Sequence, residues 1–186
     1  MWGFTVSEER KQTIMNKALI RKNSENKLTS EFLNKKFSYD PETGELRHAM
    51  RGRGIKFRGL ATSTSSRYLK VKINREQFQA HRVIWCMVYG SFPAEYIDHA
   101  NGDGCDNRLS NIREATASQN IWNSPARITS NTGHKNISFV KATGRYAISI
   151  IVNSITHRWF TDNLPDAIKV ANRERLRLHG EFAYVE

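Results

Sequence analysis

Cysteine is nearly absent. The chain of 186 residues has two, Cys86 and Cys105, and neither belongs to a Cys-x-x-Cys pair. That argues against a disulfide framework and against a structural zinc ribbon. Long apolar runs are missing too. No stretch approaches the ~20 apolar residues that cross a bilayer. The opening MWGFTVSEERKQ has no apolar run of signal-peptide length. The sequence therefore predicts a soluble, intracellular protein without a membrane partner. Acids are scarce, with 18 Asp and Glu against 29 Lys and Arg, for a formal net charge of +11. That excess points to a polyanionic partner, nucleic acid first and an anionic membrane surface second. Apolar residues make up 39%, enough for folding around modest cores, in one domain or a few small modules.

The positive charge is uneven. Residues 1–36 carry a net +4, residues 37–80 +5, residues 81–123 −2 and residues 124–186 +4. Basic flanks suit phosphate backbones. An acidic centre suits a divalent cation, which would itself restore positive charge locally.

Residues 7–36 are polar and charged. Ile14, Ala18 and Ile20 or Arg21 fall near helical spacing behind a Ser7 cap, which predicts a basic helical arm. FSYDPETGELRH (37–48) predicts a strand, a turn at Asp40-Pro41 and Thr43-Gly44, and a second strand. RYLKVKIN (67–74) alternates Leu69, Val71 and Ile73 with Lys70 and Lys72, the pattern of a half-buried strand with a basic face. QAHRVIWCMVYG (79–90) predicts a buried helix ended by Gly90; His81, at the mouth of that apolar helix, reads as a buried structural histidine in preference to a second base.

YIDHANGDGCDNRLSNIREATASQN (96–120) then reads as a short strand, a loop rich in glycine, Asn and Asp, a second short strand IREA, and a short helix to about Asn123. Thr116 and Gln119 form a capping box at the start of that helix. Asp103 and Asp106 do not make a calcium loop, because an EF-hand's closing glutamate is missing. Residues 124–133 have linker composition. Beyond them KNISFV, RYAISIIVN and THRWF predict three strands, and Pro165 to Gly180 a helix. Alternation predicts Tyr146, Ile148, Ile150 and Val152 packed on that helix, with Arg145, Ala147, Ser149 and Ile151 facing outward. His134, His157 and His179 show no ligand spacing and are expected at the surface.

IDHANGDGCDNRLSNIREATASQN, with AHRVIWCMVYGSFP before it, resembles the HNH nuclease motif of phage and intron-encoded homing endonucleases. FSYDPETGELRH…RYLKVKINREQFQAHR is similar to the region that precedes the motif in that group. Residues 132–186 resemble the plant APETALA2/ethylene-response-factor DNA-binding domain. The resemblances imply an α+β chain: a ββα-metal (HNH) nuclease core, a basic N-terminal region, and a C-terminal three-stranded sheet plus helix. The expected divisions are a basic arm (1–36), a nuclease domain (37–123, core motif 96–123), a linker (124–133) and the DNA-binding domain (134–186).

The resemblance also implies roles. His99 is the general base, Asp98 and Asn120 hold one divalent metal, and Asn111 pins the loop within the catalytic motif. The chemistry is coherent. An imidazole can take a proton from the attacking water. A cation on oxygen ligands, Mg²⁺ or Mn²⁺, offsets charge on the phosphate and the leaving oxygen. No structural zinc is expected. Adjacent residues of a regular strand point to opposite faces, so a site shared by Asp98 and His99 requires a bulge or twist at the strand end.

Double-stranded DNA is the expected partner; the sequence identifies no protein partner. Arg51, Arg53, Lys56 and Arg58 sit around glycines that allow close approach to a backbone. Lys141, Arg145, Ser149 and Arg158 belong to a sheet that can lie in a major groove. Ala147, Ser149 and Ile151 stand where the plant domains carry arginines and tryptophans, so the plant recognition code does not transfer. The expected function is a metal-dependent homing endonuclease of phage type, nicking duplex DNA in the cytoplasm of an infected bacterium. The competing expectation is a sequence-specific DNA-binding regulator with an inactive nuclease module.

Overall fold

Local signals account for most of the elements in a computed structural model of the chain, which describes residues 8–50, 59–64 and 67–186. The architecture is α+β, and the chain divides into two compact units. The first comprises residues 1–93 and 104–110, the second residues 94–103 and 111–186. No helix among the described residues is long and apolar enough to cross a membrane.

In the first unit, α1 (Glu8–Glu25) is followed by α2 (Ser30–Lys36), whose first turn is closed by Thr29 accepting from the Phe32 amide at 3.2 Å. The Ser7 cap expected for α1 lies outside the described residues. Ile20 of α1 is exposed, and the helix is anchored at its far end by a charge instead. Glu25 is 4% exposed and Arg82 3%. The Arg82 guanidinium donates to Glu25 Oε1 at 2.6 Å and Oε2 at 2.8 Å, and to the Pro93 carbonyl at 3.0 Å. Two charges so deeply buried are tolerable only with this bidentate pairing.

β1 (Phe37–Tyr39) and β2 (Leu46–His48) form an antiparallel hairpin. Its turn is shaped by Asp40, whose carboxylate accepts from the Glu42 amide at 3.0 Å and whose carbonyl accepts from the Gly44 amide at 2.9 Å. The amide donors hold the Asp40 carboxyl below the usual carboxylate range. β3 (Thr62–Thr64), β4 (Leu69–Ile73) and β5 (Glu76–Gln79) form a three-stranded antiparallel sheet. Asn74 and Arg75, both at positive φ, make the two-residue turn between β4 and β5, a geometry that matches the strand twist. As the alternation predicts, Val71 and Ile73 are buried and Lys72 is exposed. α3 (Ala80–Tyr89) buries Val83, Ile84, Cys86 and Met87 and ends at Gly90, φ 86°. His81 is buried, with Tyr68 edge-on at 5.4 Å.

The same unit holds residues 104–110. Tyr39 donates its hydroxyl to the Asn107 carbonyl at 2.9 Å, and burial pushes its phenol up to about 12. The Leu109 amide donates to the Pro41 carbonyl at 3.2 Å.

In the second unit, β6 (Tyr96–His99) pairs antiparallel with β7 (Ile112–Ala115), and α4 (Ala117–Trp122) follows. The capping box expected at Thr116 and Gln119 forms in both directions. Residues 124–133 run through turns to β8 (Ile137–Val140), β9 (Arg145–Val152) and β10 (Ile155–Thr161), with β9 central. Asn153 and Ser154, at positive φ, turn β9 into β10. α5 (Leu164–His179) is capped by Asn163, carries Pro165 in its first turn and ends at Gly180, which opens a 3-10 turn, Gly180–Phe182. Ile137, Ile148 and Ile150 pack against Ala167 and Ala171, whose small side chains let helix and sheet approach closely. One expectation is corrected here. Ala147 lies on the outward face but is only 8% exposed. It pairs with Ser138 on one side and Phe160 on the other, and a lone methyl on a central strand sinks between larger neighbours.

Gly44 has φ +75°, and a Cβ there would lie 2.6 Å from the Arg108 amide nitrogen and 2.7 Å from the Asn107 carbonyl carbon. Gly102, φ +76°, has open space around it. Gly44→Ala is therefore expected to cost more than the 1–3 kcal/mol typical of a strained backbone. Gly102→Ala should cost about 1–2 kcal/mol. Urea unfolding of both variants checks the order; equal losses would refute the close packing at Gly44.

Candidate active site

The strand pair β6–β7 places the expected residues. Asp98 faces Arg113 and His99 faces Ile112 in unbroken antiparallel register. The bulge that a shared site was expected to need is absent from 96–99, and regular alternation puts Asp98 and His99 on opposite faces. Both are 4% exposed. His99 is the last residue of β6, and its carbonyl accepts from the Gly102 amide at 2.8 Å as the chain turns away.

Asp98 is held from two sides. Arg113 Nε and Nη2 donate to Oδ2 at 3.0 and 2.8 Å. Asn123 Nδ2 lies 3.0 Å from Oδ2 and 3.1 Å from Oδ1, and also donates to the His99 carbonyl at 2.8 Å. Asn111 is buried; its Oδ1 accepts from the Asn101 amide at 2.9 Å and its carbonyl from the Ala100 amide at 2.8 Å. Asn120 is half-buried on α4, one helical turn before Asn123. Residues three apart on a helix share a face, so Asn120 and the Asp98 clasp lie toward the same side of α4.

Arg113 and Asn123 were not among the expected site residues. Each had a sequence signal: Arg113 sits on IREA where a strand can pair with Asp98, and Asn123 is three residues beyond Asn120. Neither signal carries weight before the strand register is known.

α4 is closed at its far end by Lys135, whose ammonium donates to the carbonyls of Ile121 at 2.8 Å and Trp122 at 2.7 Å, and to that of Ser124. Burial, then the nearby Arg175 charge, pushes that lysine down to about 8. Trp122 stacks on His179 with centroids 4.5 Å apart and planes 2° from parallel. His179, expected at the surface, is 6% exposed. A helix terminus that must fit under another element buries its last aromatic-sized residue, and this one meets Trp122. His134 is half-buried and paired with Glu186.

Among the candidate DNA contacts, Arg51, Arg53, Lys56 and Arg58 lie outside the described residues. Lys141 is exposed in the turn after β8. Ser149 and the exposed Arg158 are direct cross-strand partners on the outward face, next to Ile151 at 60% exposure. Arg145 is exposed and donates to Asp162 at 2.7 Å.

Among the described residues no three His, Cys, Asp or Glu side chains converge, so a cage made wholly by the protein is not present there. Among the described residues, Asp98 Oδ1 receives just the shared Asn123 hydrogen bond, and a carboxylate oxygen has two lone-pair sites. Asp98 can thus offer one bond and Asn120 a carbonyl oxygen. Two oxygen donors fit Mg²⁺ or Mn²⁺, which keep waters and substrate oxygens around them.

Residues 78–121 match the HNH endonuclease family. The chain is 28% identical over 104 residues to Protein 3.8 of Escherichia phage T7, an alignment covering 55% of this chain and 86% of that protein. It is 32% identical over 112 residues to the uncharacterized HNH endonuclease L560 of Acanthamoeba polyphaga mimivirus, covering 58% of this chain and 56% of the relative; the chain thus spans about half the length of that protein. No solved structure matches the chain. The match over residues 78–121 and the relative named as an HNH endonuclease support a DNA endonuclease.

Burial first, and then the charges of Lys135 and Arg175, push His179 down from 6.5 to about 4. Between these values the unfolded chain binds a proton that the folded chain refuses. The stability present above pH 6.5 is thus lost as the pH falls toward 4. At 1.36 kcal/mol per pH unit this is about 2 kcal/mol between pH 6.5 and 5. His179→Phe, which keeps a ring against Trp122, is expected to lose that part of the pH dependence in urea unfolding at pH 7 and pH 5. An unchanged difference between the two pH values would assign it to other groups.

Proposed function

We propose that the chain is a metal-dependent homing-type endonuclease that hydrolyses one strand of duplex DNA per active site. The observation that carries this is the buried Asp98-His99 pair ending β6 inside the segment that matches HNH endonucleases. His99 takes a proton from the attacking water through its imidazole. Asp98 Oδ1 and the Asn120 carbonyl hold one divalent cation, Mg²⁺ or Mn²⁺, which when bound neutralises charge on the phosphate. Arg113 pairs with the Asp98 carboxylate and orients it, and Asn123 ties that carboxylate to the end of β6. Asn111 shapes the turn after His99 through its bond to Asn101. His99 is the last residue of β6, beside the turn that Asn111 shapes.

The HNH core is read as a ββα-metal arrangement of β6, β7 and α4. In our reading residues 1–36 are a basic arm, 37–123 the nuclease part, 124–133 a connection and 134–186 a DNA-binding part of APETALA2-like design. Lys141, Arg145, Ser149 and Arg158 touch the duplex there, and Arg51, Arg53, Lys56 and Arg58 contribute phosphate contacts from the N-terminal side. The nicked product forms in the cytoplasm of a phage-infected bacterium.

One observation favours the second reading, a sequence-specific DNA-binding regulator with an inactive nuclease module. Asp98 already has an ion-pair partner in Arg113, as a purely structural carboxylate would.

Supercoiled plasmid carrying candidate target DNA separates the two. With Mg²⁺ or Mn²⁺ the wild type is expected to yield nicked circles, and His99→Ala to slow cleavage by roughly 10²–10⁴-fold. Binding without cleavage by the wild type would leave the regulator; equal cleavage by His99→Ala would reject that residue as the base. Asn120→Ala is expected to raise the metal concentration needed for half-maximal cleavage while leaving metal-free duplex affinity in place. An unchanged metal requirement would remove Asn120 from the ligand set.

A further inference from the structure

The C-terminal sheet and helix meet the HNH-like segment inside the second unit at three places. Arg113 is the first. Its Nε and Nη2 hold Asp98, while Nη1 donates to the Glu181 carbonyl at 2.8 Å and the guanidinium lies 4.0 Å from the centroid of the Phe182 ring. One side chain thus spans from the candidate metal-binding carboxylate to the 3-10 turn that ends α5. Lys135 is the second, placing its ammonium on three carbonyls at the end of α4. The third is the stack of Trp122 on His179.

Each contact answers a physical need of the site. A carboxylate that is 4% exposed needs hydrogen-bond donors, best of all a charged one. A guanidinium that serves it is useful only when its own orientation is set. The Glu181 carbonyl and the Phe182 ring set it by a hydrogen bond and a cation–π contact. α4 has six residues, too few to be stable alone. Its first turn is closed by its own capping box, and the Ile121 carbonyl near its end accepts from the Ser124 amide at 3.1 Å and hydroxyl at 2.7 Å. Lys135, from the segment just before β8, adds a charged donor to the carbonyls of Ile121, Trp122 and Ser124. The end of the helix that carries Asn120 and Asn123 is thereby held by its own sequence and tied to the C-terminal part.

We propose that Arg113, Lys135 and Phe182 are positioning residues through which the C-terminal part, residues 135–186, builds the nuclease site as well as binding DNA. The inference rests on the reading of Asp98 and Asn120 as the cation ligands. It assigns the C-terminal part a second role: Phe182 and the Glu181 carbonyl orient Arg113, Arg113 orients Asp98, and Lys135 holds α4 so that Asn120 faces the same cation.

The full-length chain tests this with Mn²⁺ as the probe. Mn²⁺ binding to the DNA-free protein is measured by titration calorimetry, alongside the Mn²⁺ dependence of plasmid nicking, metal-free duplex affinity and thermal unfolding. Phe182→Ala, Lys135→Met and Arg113→Gln are expected to weaken Mn²⁺ binding by about 10–100-fold, the usual effect of removing a group that orients a metal ligand. Metal-free duplex affinity should stay within about twofold of wild type, and Arg113→Lys should restore part of the Mn²⁺ affinity lost in Arg113→Gln. Should Phe182→Ala fail to fold, Phe182→Leu keeps the apolar volume and loses only the ring face, so it reads the same contact. Folded variants that bind Mn²⁺ as tightly as wild type would overturn the inference. So would variants whose only defect is in duplex affinity. A wild type that neither binds Mn²⁺ nor nicks DNA would instead overturn the nuclease reading on which the inference rests.

Discussion

The second unit depends on one buried carboxylate. Asp98 sits on a short strand that has a single partner strand, and Arg113 and Asn123 satisfy it from β7 and from the end of α4. Removing either donor would leave a charge in a place water does not reach, which costs far more than the pairing contributes. The register of β6 against β7 and the seat of α4 are coupled to that requirement. A one-residue slip would carry Asp98 to the other face and away from both donors.

The loop of the HNH motif has a different kind of support. Its residues 104–110 pack in the first unit, where the Asp40–Gly44 turn comes within touching distance of the Asn107 and Arg108 backbone and Tyr39 bonds to the Asn107 carbonyl. Gly104 allows an equally close approach, since a Cβ there would lie 2.5 Å from the Arg67 carbonyl and from the Tyr68 ring. The loop is long and polar, yet it is built against backbone. Glycine is required because the approach is closer than any side chain permits.

Much of the architecture was legible because its determinants are local. The Asp40–Gly44 turn, the capping box at Thr116, the Gly90 and Gly180 stops and the turn at Asn153-Ser154 each act over a few residues, and each is present. Alternation located Val71 and Ile73, and likewise Ile148 and Ile150. It went astray at Ala147, because a side chain of one carbon is covered by whatever flanks it regardless of the face it occupies. It also could not anticipate His179, whose burial depends on Trp122, a residue 57 positions earlier in the chain.

Determined by the sequence alone were the strand-loop-strand-helix order of residues 96–123, their density of acids and amides, and the basic flanks. These follow from residue type and spacing, which local chain geometry translates directly into turns, caps and alternation. The tertiary structure decided which polar atoms those residues meet. It put Arg113 and Asn123 on Asp98, set Lys135 at the end of α4, and placed Phe182 under Arg113. Such pairings join positions far apart in the chain, and their energy depends on burial, which exists only once the strands and helices have packed.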